Sequence, residues 1–308
     1  MLSSSEPGPA RRAPARATFR RTLIGWSFAL PFVIVFAVFM AGPILASFVL
    51  SFTSFGLRDL RDPLGADFVG LDNYAALFSD SKFLRASANT IYFVLVGVPL
   101  TLAAGLFVAV GIDRGIRRFR SLFRVGYYLP VVTSIVAIAV IWRYVLHPDF
   151  GLANGFLRLF GFEGASWLSD PLLAMPSIIA MAVWRNMGAS MIIFIAGLQT
   201  IPAEVYEAAA IDGAGRWQTF RSVTLPLLRP TMLFTLVVTS IGYLQLFEEP
   251  FVMTNGGPLD ATLSVAMYLY QQGFNFFNQG YAAAMAYVLF LAIVVLTIVQ
   301  FRFLRPQT

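Results

Sequence analysis

The sequence predicts an all-α membrane protein of six transmembrane helices, with N- and C-termini both cytoplasmic. Three observations carry that reading. Of 308 residues, 58% are hydrophobic and only 12% are charged, against about 25% in a soluble domain. Mean hydropathy is +0.73. The basic residues gather in alternate gaps between the apolar stretches.

The spans fall near residues 23–51, 88–110, 124–146, 173–198, 229–249 and 280–303. Each supplies the ~20 mostly apolar residues that cross a ~30 Å hydrocarbon core. Backbone groups in lipid must be bonded within the chain, and a helix does this locally. The dyad alternation of a β-barrel is absent from these stretches. The first span is not a cleavable signal sequence. Its charge-free run covers residues 22–57, longer than the about 7–15 apolar residues of such a signal. Residues 1–16, rich in Ser, Pro, Ala and Arg, form a disordered tail. Residues 17–308 form one transmembrane domain, with a polar segment at 199–228 between spans four and five.

Orientation follows from Arg and Lys. With the N-terminus inside, the inner segments hold Arg11, Arg12, Arg16, Arg20 and Arg21, then Arg114, Arg117, Arg118, Arg120 and Arg124. Arg216, Arg221, Arg229, Arg302 and Arg305 complete fifteen of the 22 basic residues. The outer segments hold six, Arg58, Arg61, Lys82, Arg85, Arg143 and Arg158, together with most of the acids. The segment at 199–228 is therefore cytoplasmic.

Several chemistries are excluded. There is no cysteine, so no disulfide framework or thiolate metal site, and the single His147 rules out a multi-His metal site. The net charge of +6 is no nucleic-acid footprint, because the arginines lie between spans. A phosphate-binding loop needs a Gly-rich turn followed by Lys-Ser/Thr. The only lysine, Lys82 in "SDSKF", has no such turn. The chain binds no ATP of its own, and no cofactor or metal is expected.

The cytoplasmic segment reads as two short helices. Pro202 suits a helix start. Glu204 and Glu207 favour the positive end of the helix dipole. The Ala-rich run from Val205 to Ile211 is helical by propensity. Asp212-Gly213 stops it, since Gly accepts the left-handed conformation. A second helix from Arg216 to Val223 ends at Leu225-Pro226. Ala208, Ala209, Gly213 and Gly215 leave a surface of little side-chain bulk, which another protein can approach closely.

Polar side chains at membrane depth often line a cavity. Arg185 and Asn186 in span four stand out; Arg185 either lines such a cavity or pairs with Glu248 or Glu249. In span five, "SIGYLQLFEEP" offers Gly242, Tyr243, Gln245 and Leu246. Aromatic faces beside a few polar groups suit a sugar ring and its hydroxyls. Glu248 and Glu249 point about 100° apart on a helix and do not form a facing carboxylate pair; they read as rim residues. Asn89-Thr90 and Thr133-Ser134 either line the cavity or bond helix to helix. His147 reads as an interfacial residue.

The spacing of Glu207-Ala208-Ala209, three residues, Gly213, nine residues, Val223, one residue and Leu225-Pro226 closely resembles the EAA motif of ABC importer permeases, where isoleucine usually stands in place of Val223. "FVGLDNYAALF" (Phe68–Phe78), "YYLPVVTSIVAIAVIWRYVLHPDFGLAN" (Tyr127–Asn154) and "VMTNGGPLDAT" (Val252–Thr262) extend the resemblance over most of the chain. It is similar to binding-protein-dependent sugar permeases, in particular the larger maltose-type subunit and the first glycerol-3-phosphate-type permease.

The resemblance implies a type I ABC importer permease fold in a bacterial cytoplasmic membrane. The implied partners are a second, similar permease, two ABC ATPase subunits that bind ATP and Mg, and an extracytoplasmic sugar-binding protein or lipoprotein. It implies that Glu204, Glu207, Ala208, Ala209, Asp212, Gly213, Gly215, Arg216, Leu225 and Pro226 couple to the ATPase. It also implies that Trp184, Arg185, Asn186, Gly242, Tyr243 and Leu246 match sugar-contacting positions, and that the Asn255-Gly256-Gly257-Pro258 turn meets the binding protein. The implied solute is a di- or oligosaccharide or an amino sugar. A glycerol-3-phosphate-type importer is the alternative, and a secondary transporter is a further one.

Overall fold

The computed structural model describes residues 15–62, 65–115 and 119–304. The tail expected over residues 1–16 lies, as far as residue 14, outside the described residues. The described residues are helical apart from loops and a single bridge pairing Thr53 with Phe68.

The chain divides into two compact units, the first ending at Leu50. In that first unit α1 (Ala15–Phe36) passes through a π-helical turn (Ala37–Ala41) into α2 (Gly42–Leu50). Pro43 explains the turn. It has no N–H to return to the carbonyl four residues back, and the Gly42 N–H bonds the Ala37 carbonyl instead. The stretch from Gly25 to Leu50 buries none of its most apolar window. Phe28, Phe32 and Phe39 lie exposed on it, as on a helix that meets lipid.

The second unit is organised around two long helices, α4 (Ser81–Arg114) and α8 (Ala174–Gln199). At ~1.5 Å per residue either is long enough to cross a bilayer. They approach closely because the contact carries small residues. A Cβ built on Gly105 of α4 would stand 2.6 Å from the Ser190 Cβ of α8. A Cβ on Gly188 would meet the Tyr127 backbone of α5 (Arg120–Val132). Close backbone approach through small residues is how helices associate where lipid removes the hydrophobic drive between them.

Two expected spans are not single helices. The third is α5 followed by α6 (Ile135–Val145), bent by 98°. Thr133 is extended there and its hydroxyl bonds the Leu129 carbonyl, closing α5. The fifth stops short. α12 (Arg229–Leu244) ends five residues before the expected boundary at 249, and α13 (Glu248–Met253) starts after a break. Pro250 would leave the Leu246 carbonyl without its helical donor; the Ser264 hydroxyl takes that carbonyl instead. Among the described residues four helices are long and apolar enough to span alone, and up to six segments are if each bent pair counts once.

The remaining elements are short. α3 (Asp72–Ser79), α7 (Leu152–Leu159) and α14 (Val265–Tyr270) lie in connections. They are on the far side of the long helices from α9 (Ala203–Ile211), α10 (Arg216–Thr219) and α11 (Leu225–Leu227), because α7 precedes α8 and α9 follows it. Asp80 holds α3, α4, α14 and α15 (Gln279–Leu304) together. Its Oδ1 caps α4 by accepting from the Lys82 and Phe83 N–H groups. Its Oδ2 accepts from the Tyr268 hydroxyl at 2.7 Å and the Tyr281 hydroxyl at 2.8 Å. Burial alone would raise the Asp80 carboxyl, but these hydrogen bonds outweigh it and hold it below its ordinary 3.8. Burial, and the hydrogen bond to Asp80, push the Tyr268 hydroxyl up to about 12.

Candidate functional site

Two places carry the expected site residues, and α8 links them. The first follows its C-terminal end. Pro202 stands before α9 as its N-cap, with Glu204 in the first turn. The helix closes by a paired motif: the Gly213 N–H bonds the Ala210 carbonyl and the Ala214 N–H bonds the Ala209 carbonyl. Gly213 has φ +76°, which costs a side-chain-bearing residue about 1–2 kcal/mol. Glu204, Glu207, Ala208, Asp212, Gly213, Gly215 and Arg216 are all exposed, while Ala209 is buried and Leu225 and Pro226 are half-buried. The small-residue surface is open, and Ala209, Leu225 and Pro226 form its backing.

The second short helix does not end at Leu225-Pro226. It runs from α10 through a π-helical turn (Phe220–Thr224) into α11, then bends by 66° into α12. The Leu225 N–H reaches back to the Phe220 carbonyl, and Pro226 falls in the first turn of α11, where its missing N–H is tolerated. Sequence reasoning passed over Ile211 and Trp217, which are 87% and 71% exposed. These are large apolar side chains left uncovered beside an alanine-rich helix.

The second place is a polar cavity of about 330 Å³ midway along α8. It gathers Arg185, Asn186, Gly242, Tyr243, Gln245, Leu246 and Glu248, seven of the eight expected solute residues. Trp184 is not among them. It lines a separate cavity with Tyr127, Pro130 and Met187, its ring 5.8 Å from that of Trp142. Trp184 is turned toward Trp142 and α5, while Arg185 and Asn186 line the polar cavity.

The cavity wall is built from hydrogen bonds. The Tyr243 hydroxyl lies 2.7 Å from the Thr101 hydroxyl and accepts from Asn186 Nδ2 at 3.4 Å, with its ring 4.8 Å from Phe93. Tyr243 is only 6% exposed, so it is a wall of the cavity, whereas Gly242, Gln245 and Glu248 are open to it. Arg185 Nη1 donates to Asn186 Oδ1 at 3.2 Å. Among the described residues it forms no ion pair with Glu248 or Glu249, and its Nε is buried without a partner. A buried donor left unpaired is costly, and a solute oxygen would relieve it. Phe93, Ser190 and Thr239 also line the cavity and were not singled out by sequence; Glu249, expected at the rim, lines it as a buried residue. Thr239 follows one turn before Tyr243, a helical spacing that would have found it.

A larger crevice of about 870 Å³ lies between α4 and α12. Its lining is aliphatic apart from Phe194, Arg221 and Arg229, and it lacks the hydroxyl and amide groups that orient a sugar.

The turn at residues 255–258 is only partly presented. Asn255 is exposed but Gly256 is buried, and Leu259 at 81% is the open residue beside it. Asn89 Nδ2 donates to the Asp260 and Leu263 carbonyls, and Thr90 accepts from the Val265 N–H. These two residues tie α4 to the loop and do not line the cavity. His147 stacks on Phe150 at 3.6 Å in a surface loop. No cluster of His, Cys, Asp and Glu able to hold a metal occurs among the described residues.

Residues 73–306 match the family described as binding-protein-dependent transport system inner membrane component. The chain is 38% identical over 289 residues to the lactose transport system permease protein LacF of Rhizobium radiobacter, covering 92% of this chain and 94% of that one. It is 33% identical over 299 residues to the arabinooligosaccharides transport system permease protein AraP of Bacillus subtilis (strain 168), covering 96% and 93%. A solved bacterial ABC transporter involved in the import of the acidic polysaccharide alginate has a similar chain, with TM-score 0.79 and 25% identity over 95% of this chain and 98% of that one.

Proposed function

The chain belongs to the binding-protein-dependent transport system inner membrane components, and from that premise we propose that it is the permease subunit that passes an oligosaccharide through a bacterial inner membrane. The observation that carries the proposal is the pairing, along one helix, of a polar cavity with an exposed, backbone-closed docking segment. Asn186 and Gln199 lie on the same helix, so their separation is about 20 Å at ~1.5 Å per residue. α9 begins four residues after that helix ends. A tilt of α8 moves both together.

Each part has its task in this reading. Glu204, Glu207 and Asp212 offer charge to a basic patch on an ATPase subunit, and Ile211 and Trp217 offer apolar contact. Two such ATPases bind ATP and Mg, a second permease completes the pathway, and an extracytoplasmic binding protein delivers the sugar near Asn255, Gly257 and Pro258. Arg185, Asn186, Gln245 and Glu248 hydrogen-bond hydroxyls, and Tyr243 with Phe93 forms the apolar wall. The termini and the docking segment face the cytoplasm. The sugar need only bind the outward- and inward-facing states with different affinity for the equilibrium to shift.

The test is reconstitution in lipid vesicles with the sister permease, the ATPase and the binding protein. ATP hydrolysis and uptake should rise with a neutral disaccharide or oligosaccharide. Stimulation by glycerol phosphate alone would replace this reading with the anionic one. Uptake that proceeds without ATPase subunits would point to a secondary transporter.

A further inference from the structure

We propose that the outer face of α7 is a membrane-surface contact, seated in the interfacial layer of the leaflet opposite the docking segment. Leu152, Phe156 and Leu159 follow one another at helical spacing and are 74%, 62% and 82% exposed. Phe150, Phe160 and Phe162 flank them and are equally open. Six large apolar side chains within residues 150–162 thus face outward.

The loop holds them there. Asn154, on the opposite face of α7, is fully buried. Its Nδ2 donates to the Pro148 and Ala165 carbonyls, and its Oδ1 accepts from the Ala165 N–H and Trp167 Nε1. All of its hydrogen-bonding capacity is spent on fixing α7 to the chain around it. The helix therefore cannot roll its apolar face inward without breaking a buried polar knot.

The occupant follows from continuity. α6 ends in Trp142, Arg143 and Tyr144. Aromatic and basic residues at the end of a spanning helix mark the boundary between hydrocarbon and water. The Phe150 ring lies 6.3 Å from Tyr144 and stacks on His147. The exposed surface of Ile141 and Tyr144 is thereby joined to α7. A short helix at that level, apolar on its open face, matches the chemistry of an interfacial helix. Its seat in lipid fixes the outer end of α6, beyond the 98° bend.

The chain has no cysteine, so single probes can be placed without removing any residue. Phe156→Cys and Leu159→Cys are labelled with an environment-sensitive fluorophore in the full chain, assembled with its partner subunits in phosphatidylcholine/phosphatidylglycerol vesicles. Glu163→Cys, on an exposed polar residue of the same loop, is the control. Both face labels should emit to the blue of the control. They should lose intensity when the lipids carry brominated acyl chains, and resist iodide, while the control is quenched by iodide. Face labels quenched by iodide and indifferent to brominated lipid would overturn the proposal. So would labels shielded from both quenchers, whether by the sister permease or only after the binding protein is added. Leu159→Cys reads the same face if Phe156→Cys fails to assemble.

Discussion

The two ends of the proposed coupling path are built in opposite ways. The segment after α8 is exposed, closed by backbone hydrogen bonds and poor in side-chain bulk. The cavity in the middle of α8 is walled by long polar side chains, one of which keeps a buried nitrogen unpaired. A surface finished in backbone offers a fixed shape, which suits a partner that is always present. A cavity with unspent hydrogen-bonding capacity suits an occupant that comes and goes. The difference predicts that damage to the first abolishes assembly, and damage to the second changes affinity while assembly persists.

The largest effect should come from Gly213→Trp or Glu207→Lys. Either should leave the chain inserted but release the ATPase, so that co-purification and transport are both lost. If the ATPase stays bound and uptake continues in both variants, the docking assignment is wrong. Next comes Arg185→Ala, which removes the one cation lining the cavity among the described residues. We expect about a tenfold rise in the half-saturating sugar concentration, corresponding to ~1.4 kcal/mol, with normal recovery of the complex. Trp184→Ala, one residue away on the other side of the helix, should leave that concentration unchanged; an equal shift would mean that the cavity reaches around α8.

Tyr243→Phe should act more mildly on the same wall. It removes the oxygen shared by Thr101 and Asn186, which keep their bonds to the Gly97 and Ala182 carbonyls, a loss of about 0.5–1.5 kcal/mol. Thermal stability should fall, while sugar-stimulated ATPase activity keeps its maximum rate. The smallest effect concerns acid. The Asp80 carboxyl titrates below its ordinary value when folded, so its contribution is present above pH 3.8 and fades as pH falls through the lower folded value. Asp80→Asn should therefore lower the melting temperature at neutral pH and flatten the acid limb of the melting curve. An unchanged acid limb would show that Tyr268 and Tyr281 do not depend on that charge.

The helix and turn after α8 were legible in the sequence because their determinants are local. Gly213 needs φ > 0, and the alanines need only a helix. The spans were legible from apolar length, although their breaks were not. Thr133 closes α5 through its own hydroxyl, and Pro250 ends a span because Ser264, fourteen residues on, supplies the missing donor. Partnership at such a distance leaves no periodic signal. The cavity was half legible. Arg185 and Tyr243 stood out as polar groups at membrane depth, but Thr101 and Phe93 join them only through packing. Trp184 lines a different cavity, because the direction a helical side chain takes is fixed only by its packed neighbours. The knot at Asp80 went unread because its tyrosines arrive from α14 and α15, some 190 and 200 residues on.

The π-helical turn at Phe220–Thr224 absorbs an extra residue. It sits between α10, which carries Arg216 and Trp217, and the helices that lead on to Gly242 and Tyr243. A π-turn holds roughly one residue more than an α-turn, and one residue of α-helix is about 100° of rotation. Because the extra residue is absorbed within one turn, deleting a single residue there would let the turn relax to α-geometry with its two flanks still nearly in register, whereas the same deletion inside α12 would swing everything beyond it by about 100°. The turn is thus a slack link, and relatives should gain or lose a residue there more readily than in the helices beside it.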